Sequence, residues 1–392
     1  VSFCSHSLHP VAHPLFWCEW SCTMEGELPS GSVVCVTGGS GFLGSWCVKL
    51  CLDAGFTVRT TVRSAEKAAY LKDLPGASER LTCFAGVDLL AVGAFDEAID
   101  GCVAVLHTAS PFFFEGATEE MLVLPALEGT RNVLASCTKF SVRRVALTSS
   151  TASVYANYGG VPDDHVYTGA DWSPEDVLRA KSNWYCLSKT LAEREAWRLA
   201  EAPECPWTLT VLNPTLIFGP QLPGQPHLNT SSKDIVACMD GSMPEVPNAC
   251  KTIVDVRDVA EAHVAAVRTG AGAGQRFLLI AGSPHWSEVC DIVRASLGAS
   301  GSEAAALAAG VPTAVSSKVG PAVLGPTPPN PVLFDASPSE KLLGVKYRSV
   351  SELVETAVGA LLTNGFRSST QYKPGHRSPS QASTVPSQIV LH

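Results

Sequence analysis

Three side chains stand out for the chemistry they can do together. They are Ser150, in "LTSSTASVY", and Tyr185 and Lys189, in "NWYCLSK". Tyr185 and Lys189 lie four positions apart, so on a helix they project from one face. A phenol with its ordinary pKa of about 10 is a poor acid at neutral pH unless a nearby cation lowers that value. Lys189, one turn on, supplies the cation, and Ser150 can polarise a substrate oxygen. Together they can give a proton to a carbonyl oxygen while a hydride reaches the carbon. A Tyr-x-x-x-Lys pair alone occurs on many helices. Its weight here comes from the glycines far upstream.

Those glycines lie in "VCVTGGSGFLGSWCVKLCLDAG", Val34 to Gly55. Gly38, Gly41 and Gly44 recur every third residue between an apolar run and a helical pattern opened by Phe42 and Leu43. Counted from Gly39, the same stretch reads G-x-G-x-x-G, and spacing alone does not choose the register. In either register the backbone can approach a pyrophosphate, and the helix N-terminus points its N–H groups and positive dipole end at it. Sites for NAD carry Asp or Glu about 20 residues further on. Here "TVRSAEK" puts Arg63 at that place, with Lys67 behind it. A guanidinium fork matches a 2′-phosphate, so the expected cofactor is NADPH/NADP. Asp88 and Leu89, after the third strand, stand where the adenine amino group would lie.

These residues need a scaffold, and strand and helix patterns alternate from residue 32 onward. "SVVCVT", "FTVRTTV", "LTCFAGV", "CVAVLHTA", "VRRVALTS" and "WTLTVLNP" read as strands. Helical patterns cover Phe42 to Ala54, "AEKAAYLKDL", Phe95–Ile99, Glu119 to Cys137 with a kink at Pro125, and Pro174 to about Leu199. Short connections between such elements give a parallel sheet covered on both faces. The expected fold is α/β: a Rossmann doubly wound sheet with a smaller, mixed C-terminal substrate-binding region. Past Pro220 the pattern is less regular. "KTIVDVRDVAEAHVAAVRTG" is a strand leading into a helix, "RFLLIAG" a strand, and Trp286–Leu297 a helix. "SVSELVETAVGALLTNG" closes the fold, with Ser349 as cap and Glu352 completing a capping box. The expected division is a leader over 1–30, the dinucleotide-binding domain over 31–220, an interleaved substrate region over 221–365 and a disordered tail over 366–392.

Bulk composition excludes several functions. The 392 residues are 46% hydrophobic and 17% charged, with a net charge of −9. Nucleic acid, which needs clustered Lys and Arg, is not an expected partner. No apolar run reaches the roughly 18 residues that suggest a membrane span. Of 14 cysteines, several lie in apolar runs, as do Cys35, Cys83 and Cys102, and none forms a C-x-x-C pair. Free thiols in a reducing, cytoplasmic setting are expected. His6, His9 and His13 belong to no complete ligand set, so no metal site is expected. They lie in residues 1–23, upstream of the first methionine, Met24, where translation is expected to start.

Taken in order, "VTGGSGFLGS", "HTASPF", "RRVALTSS", "NWYCLSK", "LNPTLIFGP" and "DVRDVAEAH" resemble the extended short-chain dehydrogenase/reductases. Within them the chain resembles the branch of dihydroflavonol 4-reductase and cinnamoyl-CoA reductase. The resemblance spans roughly residues 32–365 and implies Ser150, Tyr185 and Lys189 as the catalytic set. It implies Asn132 as a fourth member acting through a water. Thr108, Ala109, Ser110, Pro214 to Ile217 and Ser231 would line the cofactor. "NWYC" is similar to the cinnamoyl-CoA reductase signature, but Leu187-Ser188 replace its Tyr-Gly. Tyr155 stands where dihydroflavonol reductases carry a substrate-binding Asn. Phe112, Phe113, Phe114, His227 and Asn229 are further substrate candidates. The implied partner is a small-molecule carbonyl compound, reduced by a monomer or homodimer. A CoA thioester reductase and a nucleotide-sugar epimerase or dehydratase on the same fold remain open alternatives.

Overall fold

The computed structural model describes residues 26–110, 118–156, 158, 161–162, 164–226, 228–317 and 331–366. Seven strands make one parallel sheet: β1 (Val33–Thr37), β2 (Thr57–Val62), β3 (Leu81–Ala85), β4 (Ala104–His107), β5 (Arg144–Thr148), β6 (Thr208–Pro214) and β7 (Gln275–Leu279). Their order across the sheet is β3–β2–β1–β4–β5–β6–β7. The chain moves outward from β1 through β2 to β3, then returns to lay β4 on the other side of β1. The connections therefore diverge at β1 and open a crevice at the carboxyl ends of β1 and β4, the place where doubly wound sheets bind ligands.

The apolar runs are continuous because both faces of the sheet are buried. Alternate residues go opposite ways. Val34, Val36, Ala104, Leu106, Ala146 and Leu212 join the core under α1 (Phe42–Asp53). Cys35, Val105, Val145, Leu147 and Val211 join the core on the other face, under α2 (Glu119–Lys139) and α3 (Trp184–Ala200). A third core, with Phe218, Ile235, Trp286 and Leu353, lies between α4 (Thr230–Met239), α6 (Trp286–Ala299) and α7 (Val350–Thr363). The helix before that pair, α5 (Val256–Thr269), packs on α1 and so ties this region to the sheet. Two short parallel pairs complete the region: Leu216–Phe218 with Ile253–Asp255, and Val166–Tyr167 with Leu333–Phe334.

The structure departs from the expected elements where local hydrogen bonding overrides the hydrophobic pattern. Pro174 to Leu199 is two helices, Glu175–Ala180 and α3, not one. The break falls where Ser182 takes φ 52° and the Asn183 side chain accepts from the Cys186 N–H at 3.2 Å. An Asn N-cap starts a new helix there. "AEKAAYLKDL" winds as a 3₁₀ helix over Glu66–Asp73. α2 begins at Glu119 with Thr118 as its cap and carries Pro125 inside it. Ser349 caps α7, accepting from Glu352 N–H at 3.2 Å. The other half of the box is diverted, since the Glu352 carboxylate lies 3.5 Å from Arg348 Nε. Residues 26–30 touch the domain: Leu28 is buried and donates its N–H to the Arg268 carbonyl at 2.8 Å. Phe366, the first residue of the expected tail, packs on the third core and donates its N–H to the Leu361 carbonyl at 2.9 Å, while His6, His9, His13 and the rest of that tail lie outside the described residues. Among the described residues, the cysteines are free thiols, no cluster could hold a metal ion and no helix is long and apolar enough to cross a membrane.

Trp286 is 2% exposed and meets Phe218 edge to face at a centroid distance of 6.4 Å. Trp286→Ala should therefore cost about 3–5 kcal/mol, the usual penalty for emptying a buried aromatic site. Urea unfolding followed by circular dichroism measures it; an unchanged midpoint contradicts this account of the third core.

Candidate active site

The crevice begins with the glycines, and the structure gives each a different task. Gly38 has φ +72°, a conformation that side chains with a Cβ rarely adopt, and donates its N–H to Thr61 Oγ1 at 3.2 Å. A Cβ on Gly39 would stand 2.0 Å from Thr60 Oγ1, and one on Gly44 would stand 2.4 Å from the Gly38 carbonyl oxygen. Gly39 and Gly44 are thus required by strand and helix packing. Gly41 has only the Gly38 oxygen nearby, and it opens α1 with no side-chain cap and no acidic residue in the first turn. Phe42 and Leu43 are the first two residues of that turn. Its N–H groups are left for an anion, so the cradle fits a dinucleotide pyrophosphate.

Two residues that spacing did not single out hold this cradle. The Tyr70 hydroxyl donates to the Ser40 carbonyl at 3.2 Å, and Trp46 Nε1 donates to the Pro220 carbonyl at 2.9 Å. Both partners are backbone atoms distant in sequence, so no local motif marks them. Arg63 follows the last residue of β2. It and Lys67 are exposed, and neither has a hydrogen bond or ion pair among the described residues. Two uncommitted cations at this strand end suit a 2′-phosphate. Asp88 accepts the Leu90 N–H at 3.0 Å, a turn-forming bond. Leu89 packs on α2, where a Cβ at Gly129 would come within 2.4 Å of it. The Leu89 carbonyl accepts from Asn132 Nδ2 at 3.0 Å, so Asn132 anchors this loop.

The end of β4 is stitched to the glycine turn. Thr108 Oγ1 donates to the Thr37 carbonyl at 2.6 Å, and the Ala109 N–H donates to Thr37 Oγ1 at 3.1 Å. His107, buried beside Thr37 at 2.8 Å, is held neutral, its pKa pushed down to about 3 by burial and by the Lys189 charge. Ser110 then receives a hydrogen bond from Lys189 Nζ at 3.1 Å.

Ser150 follows β5 at a sharp 3₁₀ turn, Thr151–Ser153, which it caps by accepting the Ala152 N–H at 3.1 Å. The Ser150 hydroxyl pulls the pKa of the Tyr185 phenol down. Tyr185 is the second residue of α3, half-buried, at the helix end whose dipole favours a developing phenolate. Lys189, one turn later, is 8% exposed. Burial raises the Tyr185 pKa above its ordinary value, against the pull of Ser150. The Lys189 ammonium is turned to Ser110. Burial brings Lys189 itself down to about 8, with Glu193 opposing the fall.

The remaining candidates are placed as follows. Pro214 ends β6 beside the Ser150 turn, its carbonyl 3.4 Å from Thr151 Oγ1. Ile217 is half-buried in the next short strand, and its carbonyl lies 3.4 Å from Asn229 Nδ2 at the start of α4. Ser231 is buried in the first turn of that helix. Tyr155 is buried in an aromatic cluster, 4.9 Å from Tyr167 and 5.8 Å from Phe334 between ring centroids. Phe112, Phe113, Phe114 and His227 lie outside the described residues.

The sequence model of the NAD dependent epimerase/dehydratase family matches residues 34–279, the stretch that runs from β1 to the end of β7. The chain belongs to this family. Among the relatives of this epimerase/dehydratase-family chain is a cinnamoyl-CoA reductase of Medicago truncatula, 44% identical over 67% of the chain and 80% of the relative. A tetraketide alpha-pyrone reductase of Arabidopsis thaliana is 37% identical over 66% and 81%. These relatives place the family member in the cinnamoyl-CoA reductase branch of the extended short-chain dehydrogenase/reductases. In three dimensions it is similar to yeast methylglyoxal/isovaleraldehyde reductase Gre2 complexed with NADPH. The TM-score is 0.72 at 30% identity, covering 86% of this chain and 99% of that one.

Arg63→Ala should weaken NADPH binding roughly tenfold to a hundredfold, the worth of one or two charge-assisted hydrogen bonds, and leave NADH binding unchanged. Nicotinamide fluorescence titration reads both constants. Equal losses for both cofactors would remove Arg63 from the phosphate site.

Proposed function

We propose that the protein reduces the carbonyl group of a small, aromatic or phenylpropanoid-like compound with NADPH, using Tyr185 as the proton donor. The observation that carries this is the placement of three groups at one sheet edge: the Tyr185 phenol, the Ser150 hydroxyl that pulls its pKa down, and the buried Lys189 ammonium one turn away. The chain is an NADPH-dependent oxidoreductase, as its reductase relatives and the NADPH-bound neighbour support. Gly38, Gly41 and Gly44 would hold the pyrophosphate, Arg63 and Lys67 the 2′-phosphate, and Thr108 to Ser110 the nicotinamide half. When bound, NADPH supplies the hydride.

The chain's own residues do the rest. Tyr185 and Ser150 both donate toward the substrate oxygen, fixing its carbonyl and stabilising the negative charge that develops on it. Tyr185 then gives up its proton to that oxygen. Burial makes this phenol reluctant to ionise, so the positive charge of Lys189 and the dipole of α3 must offset that cost as the proton leaves. An aldehyde or ketone becomes an alcohol. The cinnamoyl-CoA reductases among the relatives favour a second reading, in which a thioester is reduced to an aldehyde with release of the thiol.

Tyr185→Phe should lower kcat by roughly a hundredfold to ten-thousandfold, the range for losing a general acid, while NADPH still binds. Undiminished turnover would overturn the assignment. Lys189 loses its charge as pH rises through about 8. The profile of kcat/KM should accordingly fall on the alkaline side near that pH, since this ratio reports groups of the free enzyme. An NADPH-oxidation screen against aromatic aldehydes, cinnamoyl-CoA esters, dihydroflavonols and small ketones tests the substrate class. No oxidation with any of them would remove the reductase reading.

A further inference from the structure

One turn beyond Lys189 on the same face of α3 lies Glu193, a carboxylate with 0% side-chain exposure. It is the most heavily bonded acid next to the site. Its Oε2 accepts from Ser149 Oγ at 2.5 Å, Ser153 Oγ at 2.5 Å and Asn213 Nδ2 at 2.9 Å. Its Oε1 accepts from Arg276 Nε at 2.5 Å and lies 3.4 Å from Trp197 Nε1. Arg276 is itself pinned: it donates to the Gly169 and Asp171 carbonyls at 2.7 Å each and stacks 3.6 Å over the Trp172 ring. A buried ion pair is a poor route to stability alone, because desolvation offsets the attraction. Its partners point to another use.

The donors on Glu193 are the residues around Ser150. Ser149 and Ser153 flank it in the turn, and Asn213, which bonds Glu193, also donates to the Ser150 carbonyl at 3.1 Å. On its other side, Glu193 shares a cavity of about 20 Å³ with Lys189, Ser110, Thr130, Thr148 and Ser149. That volume is room for a single water. Glu193 thus reaches two members of the catalytic set by separate routes: Ser150 through hydrogen bonds and Lys189 across the cavity. We infer that Glu193, clamped by Arg276, is a positioning residue that fixes the Ser150 turn and keeps Lys189 charged for proton transfer.

This rests on the reductase reading above and adds an electrostatic support beneath the three catalytic side chains. Lys189 faces Tyr185 on its own helix, Ser110 from the loop after β4 and neutral His107 from β4. Glu193 faces Arg276 from β7, Ser149 and Ser153 from the turn after β5, and Asn213 from β6. Burial lowers the Lys189 pKa and Glu193 opposes that, so removing the carboxylate charge drives the value lower still.

The test is Glu193→Gln in the full-length protein, with the wild type and Tyr185→Phe measured alongside. The variant should show kcat reduced at least about tenfold and its alkaline limb moved to lower pH by about half a unit or more. Its NADPH dissociation constant should stay within about threefold of the wild type. A folded, NADPH-binding variant with wild-type kcat and an unmoved limb overturns the inference. If Glu193→Gln does not bind NADPH, the double variant Ser149→Ala/Ser153→Ala decides, because it keeps the Glu193–Arg276 pair. Lower kcat with NADPH binding intact supports the inference, and unchanged kcat overturns it. A wild type that reduces no carbonyl brings down the reductase reading, an active Tyr185→Phe removes Tyr185 as its proton donor, and either takes this inference with it. An inactive Tyr185→Phe beside an unaltered Glu193→Gln brings down this inference alone.

Discussion

A parallel sheet buried on both faces can show polar groups to a ligand only at its edges. That constraint organises the molecule. All seven strands run the same way, so their carboxyl ends meet along one rim. The glycine turn leaves β1 there, Arg63 leaves β2, Thr108 to Ser110 leave β4, Ser150 leaves β5 and Asn213 stands at the end of β6. The candidate cofactor and candidate catalytic residues come from segments far apart in sequence because strands that neighbour each other in the sheet, such as β1 and β4, are. The hydrogen bonds between them are short stitches between adjacent strand ends, such as Thr37 to Ala109 and Asn213 to Ser150.

The rim is polar in a largely apolar surrounding, and that sets the electrostatics. Lys189 is an ammonium held in a place that disfavours charge, and Tyr185 is a phenol in a place that disfavours phenolate. Each is costly to ionise alone. Proton transfer at such a site depends on counter-charges whose positions are fixed before substrate arrives, because mobile water is scarce there to reorganise around them.

Much of this was legible in the sequence, for identifiable reasons. Continuous apolar runs mark strands buried on both faces and a 3.6-residue pattern marks the long helices, so the sheet and its chief helices were readable. The Tyr185 and Lys189 spacing is fixed by helix geometry and carried over directly. Three things were not readable. The break at Ser182–Asn183 depends on one side-chain cap, and an otherwise continuous apolar pattern masks it. The engagement of Asn132 with the Leu89 carbonyl depends on where a loop from β3 comes to rest. The convergence of Ser149, Ser153, Asn213 and Arg276 on Glu193 joins residues up to 127 positions apart, from Ser149 to Arg276, and no local motif encodes it. The two glycine readings overlap in the structure: Gly38 takes a positive φ and Gly39 has no room for a Cβ, so both positions need glycine.

The pairing of β7 with β6 bears on how the chain is made. Thr210 to Pro214 pair in register with Gln275 to Leu279, and the stretch between them builds much of the third core. In a growing chain that has emerged only as far as β6, that strand is an edge of the sheet opposite β3, its outward N–H and C=O groups unmatched. Such an edge is a template for association with other strands. It is capped only after some sixty further residues have been synthesised and folded back, a closure whose entropy cost rises slowly with length. β6 is thus covered before the third core can be completed, because Trp286, Val289 and Leu353 lie beyond β7 in the chain.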